Sequence, residues 1–244
     1  MKQSIFKIVS NTALTDSVSQ MVLAGDTSAI TAPGQFVNIR LEGRFLRRPI
    51  SVCDYDSGVL TILYKVVGAG TGQMRGMAPG QTLDLLTGLG NGYDLAPAGD
   101  KPVLLGGGVG VPPLYNLAKK LTAMGKEVSV ILGFNTRSEV FYEEAFQALG
   151  CRTSVTTVDG SCGIRGFVTD ALPQEYTYFY ACGPEPMLKA VYRASKTSGQ
   201  MSFEERMGCG FGACMGCSCK TLTGYKRICK DGPVMKKEEI LWEA

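Results

Sequence analysis

The sequence contains no histidine among its 244 residues. This absence excludes catalysis by serine–histidine or cysteine–histidine pairs, and it excludes zinc sites with histidine ligands. The formal net charge is only +3, which is too small to indicate a nucleic-acid partner or an anionic membrane. Any chemistry must therefore use a bound cofactor or the side chains of cysteine, lysine, tyrosine and the carboxylic acids.

Long apolar runs are also missing. No stretch approaches the roughly 18 uninterrupted apolar residues of a membrane-spanning helix. The segment MKQSIFKIVSN at the N-terminus has no apolar core before a small-residue cleavage site, so we expect no secretory signal peptide. We therefore expect a cytoplasmic protein, and in that compartment nine cysteines indicate metal binding or redox chemistry rather than disulfide bonds.

Three regions differ in their hydrophobic pattern, and together they predict a β plus α/β fold. Residues 1–97 contain short β-rich runs divided by Gly, Pro and Asp, which predicts an antiparallel barrel. Residues 98–200 alternate strand and helix patterns, which predicts a parallel sheet with crossover helices. Residues 201–244 are too few to bury an apolar core of their own, so they need a bound group to stabilise them.

The tail concentrates its cysteines in the segment CGFGACMGCSC, residues 209–219. Cys209, Cys214 and Cys217 have the spacing C-x4-C-x2-C, and Cys229 follows after eleven residues, which is the plant-type [2Fe-2S] pattern. Glycines in the loop permit the positive φ angles that turn amide N–H groups towards a cluster. The intervening sequence KTLTGYKRI predicts a hairpin that returns the fourth cysteine to the loop.

Two alternatives to the cluster stay open. A structural zinc site could use the same four thiols, although zinc usually takes two separate C-x2-C pairs. The thiols could also carry no metal. Cys219 is the surplus cysteine, and we expect it to pack in the hairpin rather than to bind a metal. Because a [2Fe-2S] cluster only moves single electrons, the rest of the chain must supply their source or destination.

Two stretches of the first region suit phosphate binding. RRPIS, residues 47–51, places two cations, a rigid proline and a hydroxyl at a strand start, so Arg48 could bind a pyrophosphate and Ser51 a ring nitrogen. GAGTGQ, residues 68–73, places amide groups and the Thr71 hydroxyl at a glycine turn. Each stretch alone is also consistent with a solvated strand edge or an ordinary turn.

The second region has two further turns that suit a dinucleotide. GGGVGVPP follows a strand and opens a helix, where a pyrophosphate meets free N–H groups. ACGPEPM also lies between a strand and a helix, so both turns are expected at the carboxyl edge of the sheet. The loop NTRSEVFYEE, which follows the next strand, does not tell whether the cofactor is NAD or NADP. Arg137 and Ser138 suit a 2′-phosphate, whereas Glu139 suits a ribose hydroxyl.

These segments together resemble the ferredoxin–NADP reductase superfamily. RRPIS, ILYK and GAGT are similar to its flavin-binding barrel, although Ile50 stands where many members have an aromatic residue. With LLGGGVGVPPL, YACGPEPML, ERMGCGFGACMGCSC and ICKDGPV, the whole chain resembles the electron-transfer subunits of type B dihydroorotate dehydrogenases. The resemblance implies FAD contacts at Arg48, Pro49, Ile50, Ser51, Leu63, Tyr64, Lys65, Gly70 and Thr71. It implies NAD contacts at Gly107, Gly108, Gly110, Cys182, Gly183 and Pro184, and cluster ligands at Cys209, Cys214, Cys217 and Cys229.

The resemblance also implies a partner and an order of electron transfer. A separate catalytic subunit would carry FMN and oxidise dihydroorotate in pyrimidine (UMP) biosynthesis, in a heterotetramer of two of each subunit. This chain would then be an oxidoreductase subunit in which electrons pass from the cluster to FAD and then to NAD. Its apolar tail residues would either face that partner or pack on the chain itself; they are Met201, Phe203, Met207, Phe211, Met215, Met235 and Trp242.

Two other functions stay open at this point. The same modules would serve an NAD(P)H reductase subunit that feeds a hydrogenase or a ferredoxin. A zinc-stabilised nucleotide-binding regulator would use the cysteines for structure only, and it would be colourless. Iron, sulfide and flavin content would separate these possibilities.

Overall fold

A closed antiparallel barrel forms the first part of the computed structural model, which describes residues 1–242. The barrel order is β1-β2-β5-β4-β3-β6. Its strands read with alternating burial, as in TLDLLTGL, where every second residue is buried inside the barrel. The predicted barrel is therefore confirmed. Its elements are β1 (Lys2–Ala13), β2 (Val18–Ala24), β3 (Phe36–Arg40), β4 (Arg48–Asp56), β5 (Val59–Lys65), α1 (Ala69–Arg75) and β6 (Thr82–Leu89).

A parallel sheet with helices between its strands follows the barrel, as predicted. Its central strand PVLLGG is buried along its whole length, because helices and neighbouring strands cover both faces of the sheet. The order is β10-β9-β8-β7-β11-β12. The elements are β7 (Pro102–Gly107), α2 (Pro113–Ala123), β8 (Ser129–Phe134), α3 (Glu143–Ala148), β9 (Arg152–Thr157), β10 (Ile164–Arg165), β11 (Tyr178–Cys182), α4 (Glu185–Ala194) and β12 (Gly199–Ser202).

The tail contributes the predicted hairpin and one more strand of the large sheet. The hairpin consists of β13 (Ser218–Thr221) and β14 (Gly224–Arg227), and β15 (Val234–Lys236) pairs antiparallel with β12. Met201 and Met235 are buried at this pairing, so these two apolar residues dock the tail on its own chain. The domain boundary predicted between residues 200 and 201 falls inside β12. The division of the chain into an NAD-binding domain and a cluster domain at this point stays a prediction.

Polar contacts hold the α/β part against the barrel. Asp54 on β4 accepts a hydrogen bond from Asn116 Nδ2 at 2.6 Å. It also forms a salt bridge with Lys119 Nζ at 3.0 Å. Both partners lie on α2, which begins shortly after the glycine turn at the end of β7. Holding α2 on the barrel therefore fixes that turn relative to the RRPIS strand. No helix within residues 1–242 is long and apolar enough to cross a membrane.

Candidate functional site

A cavity of about 640 Å³ lies where the barrel, the carboxyl edge of the parallel sheet and the tail meet. Residues from both predicted nucleotide sites line it, so the fold brings the two sites into one space. The predicted residues that line it are Pro49, Ser51, Lys65, Gly107, Gly108, Gly110, Cys182, Gly183 and Pro184. This arrangement would allow two bound ring systems to meet in a water-poor pocket.

The two turns of the α/β part touch each other at the edge of the sheet. β7 and β11 are parallel neighbours, with Cys182 opposite Gly106. A methyl group on Gly110 would lie 2.6 Å from the Gly183 nitrogen and closer still to the Cys182 carbonyl oxygen. Only glycine fits at this contact, because real Cβ atoms do not approach backbone atoms so closely.

The phosphate-suited residues of the barrel gather beside this cavity rather than on its wall. A methyl group on Gly70 would lie 2.9 Å from Arg48 Cζ, so the guanidinium packs directly on that glycine. The Thr71 hydroxyl accepts hydrogen bonds from the amides of Val67 at 3.0 Å and Gly68 at 3.3 Å. GAGTGQ is therefore the first turn of helix α1 instead of an open glycine turn, and the hydroxyl of Thr71 caps that helix.

Three residues that the resemblance assigned to FAD point their side chains elsewhere. Leu63 and Tyr64 are buried, and the Tyr64 hydroxyl donates to Asn11 Oδ1 at 2.8 Å inside the barrel. Ile50 packs against the apolar core of the barrel. The side chains of Leu63 and Tyr64 are therefore taken up by the core of the chain, whereas that of Ile50 is only partly buried. The assignment of FAD contacts to them stays a prediction.

Cys182 supplies a neutral thiol to the cavity. Burial raises the pKa of this thiol to about 12, although a hydrogen bond with the Ser202 hydroxyl acts in the opposite direction. The negative charge of Glu204 adds to the rise in pKa. The thiol is therefore protonated at neutral pH, and it presents a small, weakly polar surface rather than a nucleophile.

The four predicted cluster ligands form two pairs of thiols. Cys209 Sγ accepts hydrogen bonds from the amide nitrogens of Ala213 at 3.2 Å and Cys214 at 3.4 Å. Cys217 Sγ accepts one from the amide nitrogen of Cys229 at 3.4 Å, because the hairpin returns Cys229 to the loop. The loop thus points N–H groups at its sulfurs, as a cluster-binding loop requires.

The pairing of thiols bears on which metal centre they fit. The Cys214 amide donates to Cys209 Sγ, and the Cys229 amide donates to Cys217 Sγ, so the four cysteines are associated in two pairs. Two pairs of thiols match a two-iron cluster with two cysteines on each iron better than they match one zinc ion.

The two pairs differ in their electrostatic surroundings. Burial tends to raise the pKa of the Cys209 thiol, but hydrogen bonds from neighbouring amides dominate and lower it to about 6. Burial raises the pKa of the Cys229 thiol to about 12, and the adjacent Cys217 thiol raises it further. The position of Cys209 is therefore already suited to holding a thiolate, whereas the Cys229 thiol would lose its proton on binding a metal.

An arginine ties the cysteine loop to the hairpin. Arg227 Nη1 donates to the carbonyl oxygen of Gly212 at 3.0 Å, and its Nε donates to Asp231 Oδ2 at 2.9 Å. Hydrogen bonds from Arg227 lower the pKa of the Asp231 carboxyl. On the outer side of the loop, Phe211 is 43% exposed and Met215 is 55% exposed. Cys219 packs against the apolar cluster around Met201, as expected for the surplus thiol.

Sequence reasoning missed several residues of the cavity. Met207 and Pro233, which flank the cysteine loop and its return segment, line it together with Phe36 from the barrel. Thr156, Phe167 and Asn135 line the cavity beside Glu139, which the sequence had already indicated as a possible ribose contact; we call this part of the cavity its outer lobe. The side chain of Phe167 is 63% exposed at the rim. Apart from Glu139, no sequence signal marks these positions as parts of one site, because they meet only after the strands have assembled.

Two family models match the chain. The iron-sulfur cluster binding domain of dihydroorotate dehydrogenase B matches residues 204–241. The oxidoreductase NAD-binding domain matches residues 104–193. These segments contain, respectively, the four paired cysteines and the two glycine turns.

Relatives extend the similarity to the whole chain. The dihydroorotate dehydrogenase B (NAD(+)) electron transfer subunit of Geobacillus sp. (strain WCH70) is 42% identical, with 99% of each chain covered. The subunit of the same name from Bacillus caldolyticus is 44% identical, with 96% of each chain covered.

Among solved structures, one of an NADH-dependent reduced ferredoxin-NADP oxidoreductase contains a similar chain. It superposes with a TM-score of 0.88 at 30% identity, covering 97% of this chain and 90% of that one. A ferredoxin NADP+ reductase from Neisseria gonorrhoeae, solved with bound FAD and NADP, has a TM-score of 0.70 at 20% identity. It covers 80% of this chain and 90% of that one, and at this identity it shows the shared fold alone.

Proposed function

The chain belongs to the family of dihydroorotate dehydrogenase B electron-transfer subunits, and from this premise we propose that it delivers electrons from dihydroorotate to NAD+. A separate catalytic subunit carrying FMN would oxidise dihydroorotate during pyrimidine biosynthesis. This chain is the oxidoreductase subunit that accepts those electrons. Its cofactors would be a [2Fe-2S] cluster and FAD, with NAD as the substrate.

One observation carries the proposal: the segments on either side of the cysteine ligands, at Met207 and Pro233, line the nucleotide cavity. Met207 lies two residues before Cys209, and it lines the same cavity as Ser51 and Cys182. A flavin exchanges hydride with a nicotinamide and single electrons with an iron–sulfur cluster, which gives the order cluster, flavin, nicotinamide. The chain provides adjoining places for all three groups.

The four cysteines suit the cluster by number, chemistry and pairing. Cys209 and Cys214 would hold one iron, and Cys217 and Cys229 would hold the other. Amide N–H groups already donate to Cys209 Sγ and Cys217 Sγ. Such hydrogen bonds stabilise the negative charge of a reduced cluster and help to set its potential.

Residues of the cavity wall have roles that follow from their chemistry. Pro49 and Ser51 would form the barrel side of the flavin site, and Lys65 would place a positive charge at its rim. Arg48, packed on Gly70, would bind the pyrophosphate by charge-assisted hydrogen bonds. The protonated Cys182 thiol would pack beside the nicotinamide and help to exclude water.

The outer lobe of the cavity supports NAD rather than NADP. Glu139 lines the lobe, and its Oε2 accepts a hydrogen bond from Asn135 Nδ2 at 2.9 Å, which orients the carboxylate. A carboxylate in this place accepts hydrogen bonds from a ribose and repels a 2′-phosphate. Arg137 and Ser138 do not line the lobe, and the Arg137 amide donates to the Ser161 hydroxyl at 2.8 Å.

The exposed apolar residues beside the cysteines support a partner-binding face there. Phe211 and Met215 on the loop, together with Leu222 and Tyr225 on the hairpin, are between 43% and 75% exposed. Exposed aromatic residues and methionines are typical of interface cores. The catalytic subunit would cover this face and bring its FMN towards the cluster, in a heterotetramer of two of each subunit.

A cytoplasmic location is part of the same proposal. It is supported by cysteine usage, since all nine cysteines are unpaired. Thiols of this number persist in a reducing compartment.

The test begins with anaerobically purified protein and its content of iron, acid-labile sulfide and flavin. We expect two irons, two sulfides and one FAD per chain. The complex of this chain with the catalytic subunit should then reduce NAD+ when dihydroorotate is added. Neither subunit by itself should reduce NAD+ with dihydroorotate. Zinc without iron would favour the nucleotide-binding regulator. Electron transfer to ferredoxin, without electron transfer from dihydroorotate, would favour the reductase subunit of a hydrogenase or ferredoxin-linked complex. That alternative has less support, because the ferredoxin-linked structural relative is 30% identical to this chain, whereas the dihydroorotate dehydrogenase relative is 44% identical.

A further inference from the structure

A buried asparagine on the barrel lies between the two predicted redox sites. Asn38 is in the middle of β3 and is 1% exposed. Neighbouring residues Val37 and Ile39 point into the barrel core, so Asn38 points outwards with Phe36. None of the motifs that indicate cofactor binding includes this residue.

On one side, the Asn38 amide holds the first ligand of the cysteine loop. Its Nδ2 donates to the Cys209 carbonyl oxygen at 3.2 Å. The next residue, Gly210, has a φ of +79°, and a methyl group there would collide with the Asn38 amide, 3.2 Å from its Cγ. The loop backbone therefore rests directly on this side chain.

On the other side, Asn38 lies directly behind residues that line the nucleotide cavity, although it does not line the cavity itself. It is paired with Pro49 across the β3–β4 ladder, and Phe36 is paired with Ser51. Phe36, Pro49 and Ser51 all line the cavity. The Asn38 carbonyl accepts a hydrogen bond from Arg47 Nη1 at 3.3 Å, which fixes the strand at this point.

This hydrogen bond is specific to the ligand loop. Among the hydrogen bonds of residues 1–242, it is the one that joins the barrel to residues 209–217. The barrel also binds the tail through Asn91, but that residue contacts the return segment, with Nδ2 donating to the Asp231 carbonyl at 3.2 Å. The two asparagines thus make the same kind of bond to different parts of the tail.

The second polar atom of Asn38 indicates that the residue is not there for stability alone. Its Oδ1 is buried and has no hydrogen-bond partner within the described residues. An unsatisfied buried oxygen destabilises a fold. Residues that break a local rule of this kind concentrate at functional sites.

We propose that Asn38 is a positioning residue for electron exchange between the flavin and the iron–sulfur cluster, acting by holding the Cys209 end of the loop against the flavin wall. The inference rests on the proposed function. In the proposed function, one electron would leave a ferrous iron of the reduced cluster, which becomes ferric, and would reduce the flavin; with NADH as the electron source the same step would run in reverse. Asn38 neither gains nor loses an electron or a proton; it sets the separation of the two groups.

The test uses the full chain loaded with FAD and cluster, mixed anaerobically with NADH. Flavin reduction is followed by absorbance, and cluster reduction by the EPR signal of rapidly frozen samples. In Asn38→Leu we expect flavin reduction at the unaltered rate and cluster reduction slower by about fivefold to thirtyfold. Loss of one hydrogen bond lowers the ratio of held to released loop by about that factor, and only the held loop keeps the cluster near the flavin. Iron, sulfide and flavin contents should stay unchanged.

Asn91→Leu is the matched control, because it removes a side-chain bond of equal length between the same two parts of the chain. It should leave the ratio of the two rates unchanged. Equal slowing of cluster reduction in both variants, or none in Asn38→Leu, would overturn the inference. If Asn38→Leu does not fold, Asn38→Ser replaces it under the same criteria, because serine is too short to reach the loop.

Failure of the proposed function has a different signature. If NADH does not reduce the flavin, or the cluster gives no EPR signal in the unaltered chain, the proposed function fails and the inference falls with it. If both signals appear and Asn38 variants match the unaltered chain, only the inference fails.

Discussion

Gly110→Ala tests whether the contact between the two glycine turns builds the nicotinamide site. The added methyl group would lie 2.6 Å from the Gly183 nitrogen, which is about 1 Å short of an ordinary contact. The atoms that it meets, the Cys182 carbonyl and the Gly183 nitrogen, belong to the main chain and cannot rotate away. The two turns must therefore separate by about that distance. Overpacking of this kind typically costs about 1–3 kcal/mol in the free energy of unfolding. A shift of about 1 Å in a hydride-transfer site can slow the reaction by about 100-fold.

The assay separates binding of nicotinamide from loss of fold. We expect urea unfolding to show the stability loss, and we expect NADH to reduce the flavin about 100-fold more slowly, while flavin and iron contents remain those of the unaltered chain. Gly76→Ala is the control, since a methyl group there meets only one atom, at 3.6 Å. If Gly110→Ala reduces its flavin as fast as Gly76→Ala does, the contact between the turns does not shape the site.

Three further predictions concern single residues. Cys214→Ser should remove the visible and EPR signals of the cluster and stop transfer from the catalytic subunit while FAD stays bound; undiminished transfer would contradict the ligand assignment. Arg48→Ala should lower flavin content after gel filtration, because it removes a charge-assisted phosphate contact, and full retention of flavin would refute that role. Glu139→Gln should raise kcat/KM for NADPH relative to NADH by about fivefold, since a like-charge repulsion of about 1 kcal/mol disappears; an unchanged ratio would show that the carboxylate does not select NAD.

The fold was largely predictable because its signals are local and repeated. Alternating burial in strands such as TLDLLTGL marks the barrel, and fully apolar strands such as PVLLGG mark a sheet covered on both faces. The tail was harder to assign. Its last strand, Val234–Lys236, extends the large sheet instead of remaining in a separate unit. Three residues in that strand carry too little pattern to reveal their distant partner, β12.

The candidate site likewise has parts that the sequence predicts and parts that only the structure shows. The C-x4-C-x2-C spacing selects Cys209, Cys214 and Cys217, and the hairpin predicted from KTLTGYKRI selects Cys229 over the nearer Cys219. The sequence of GAGTGQ predicts a glycine turn, but in the structure the segment begins helix α1, and Thr71 caps it. A hydroxyl at a glycine-rich turn is compatible with both roles, and only its hydrogen-bond partners distinguish them.

The sequence by itself determined the cysteine pattern, the glycine turns and the order of barrel, sheet and tail, because each depends on residues close together along the chain. The tertiary structure decided which side chains share the cavity, which face of each strand they occupy, and that Asn38 contacts Cys209. These contacts join residues up to 171 positions apart. They depend on how whole elements pack, and packing depends on the sum of many weak, non-directional interactions that no short stretch of sequence contains.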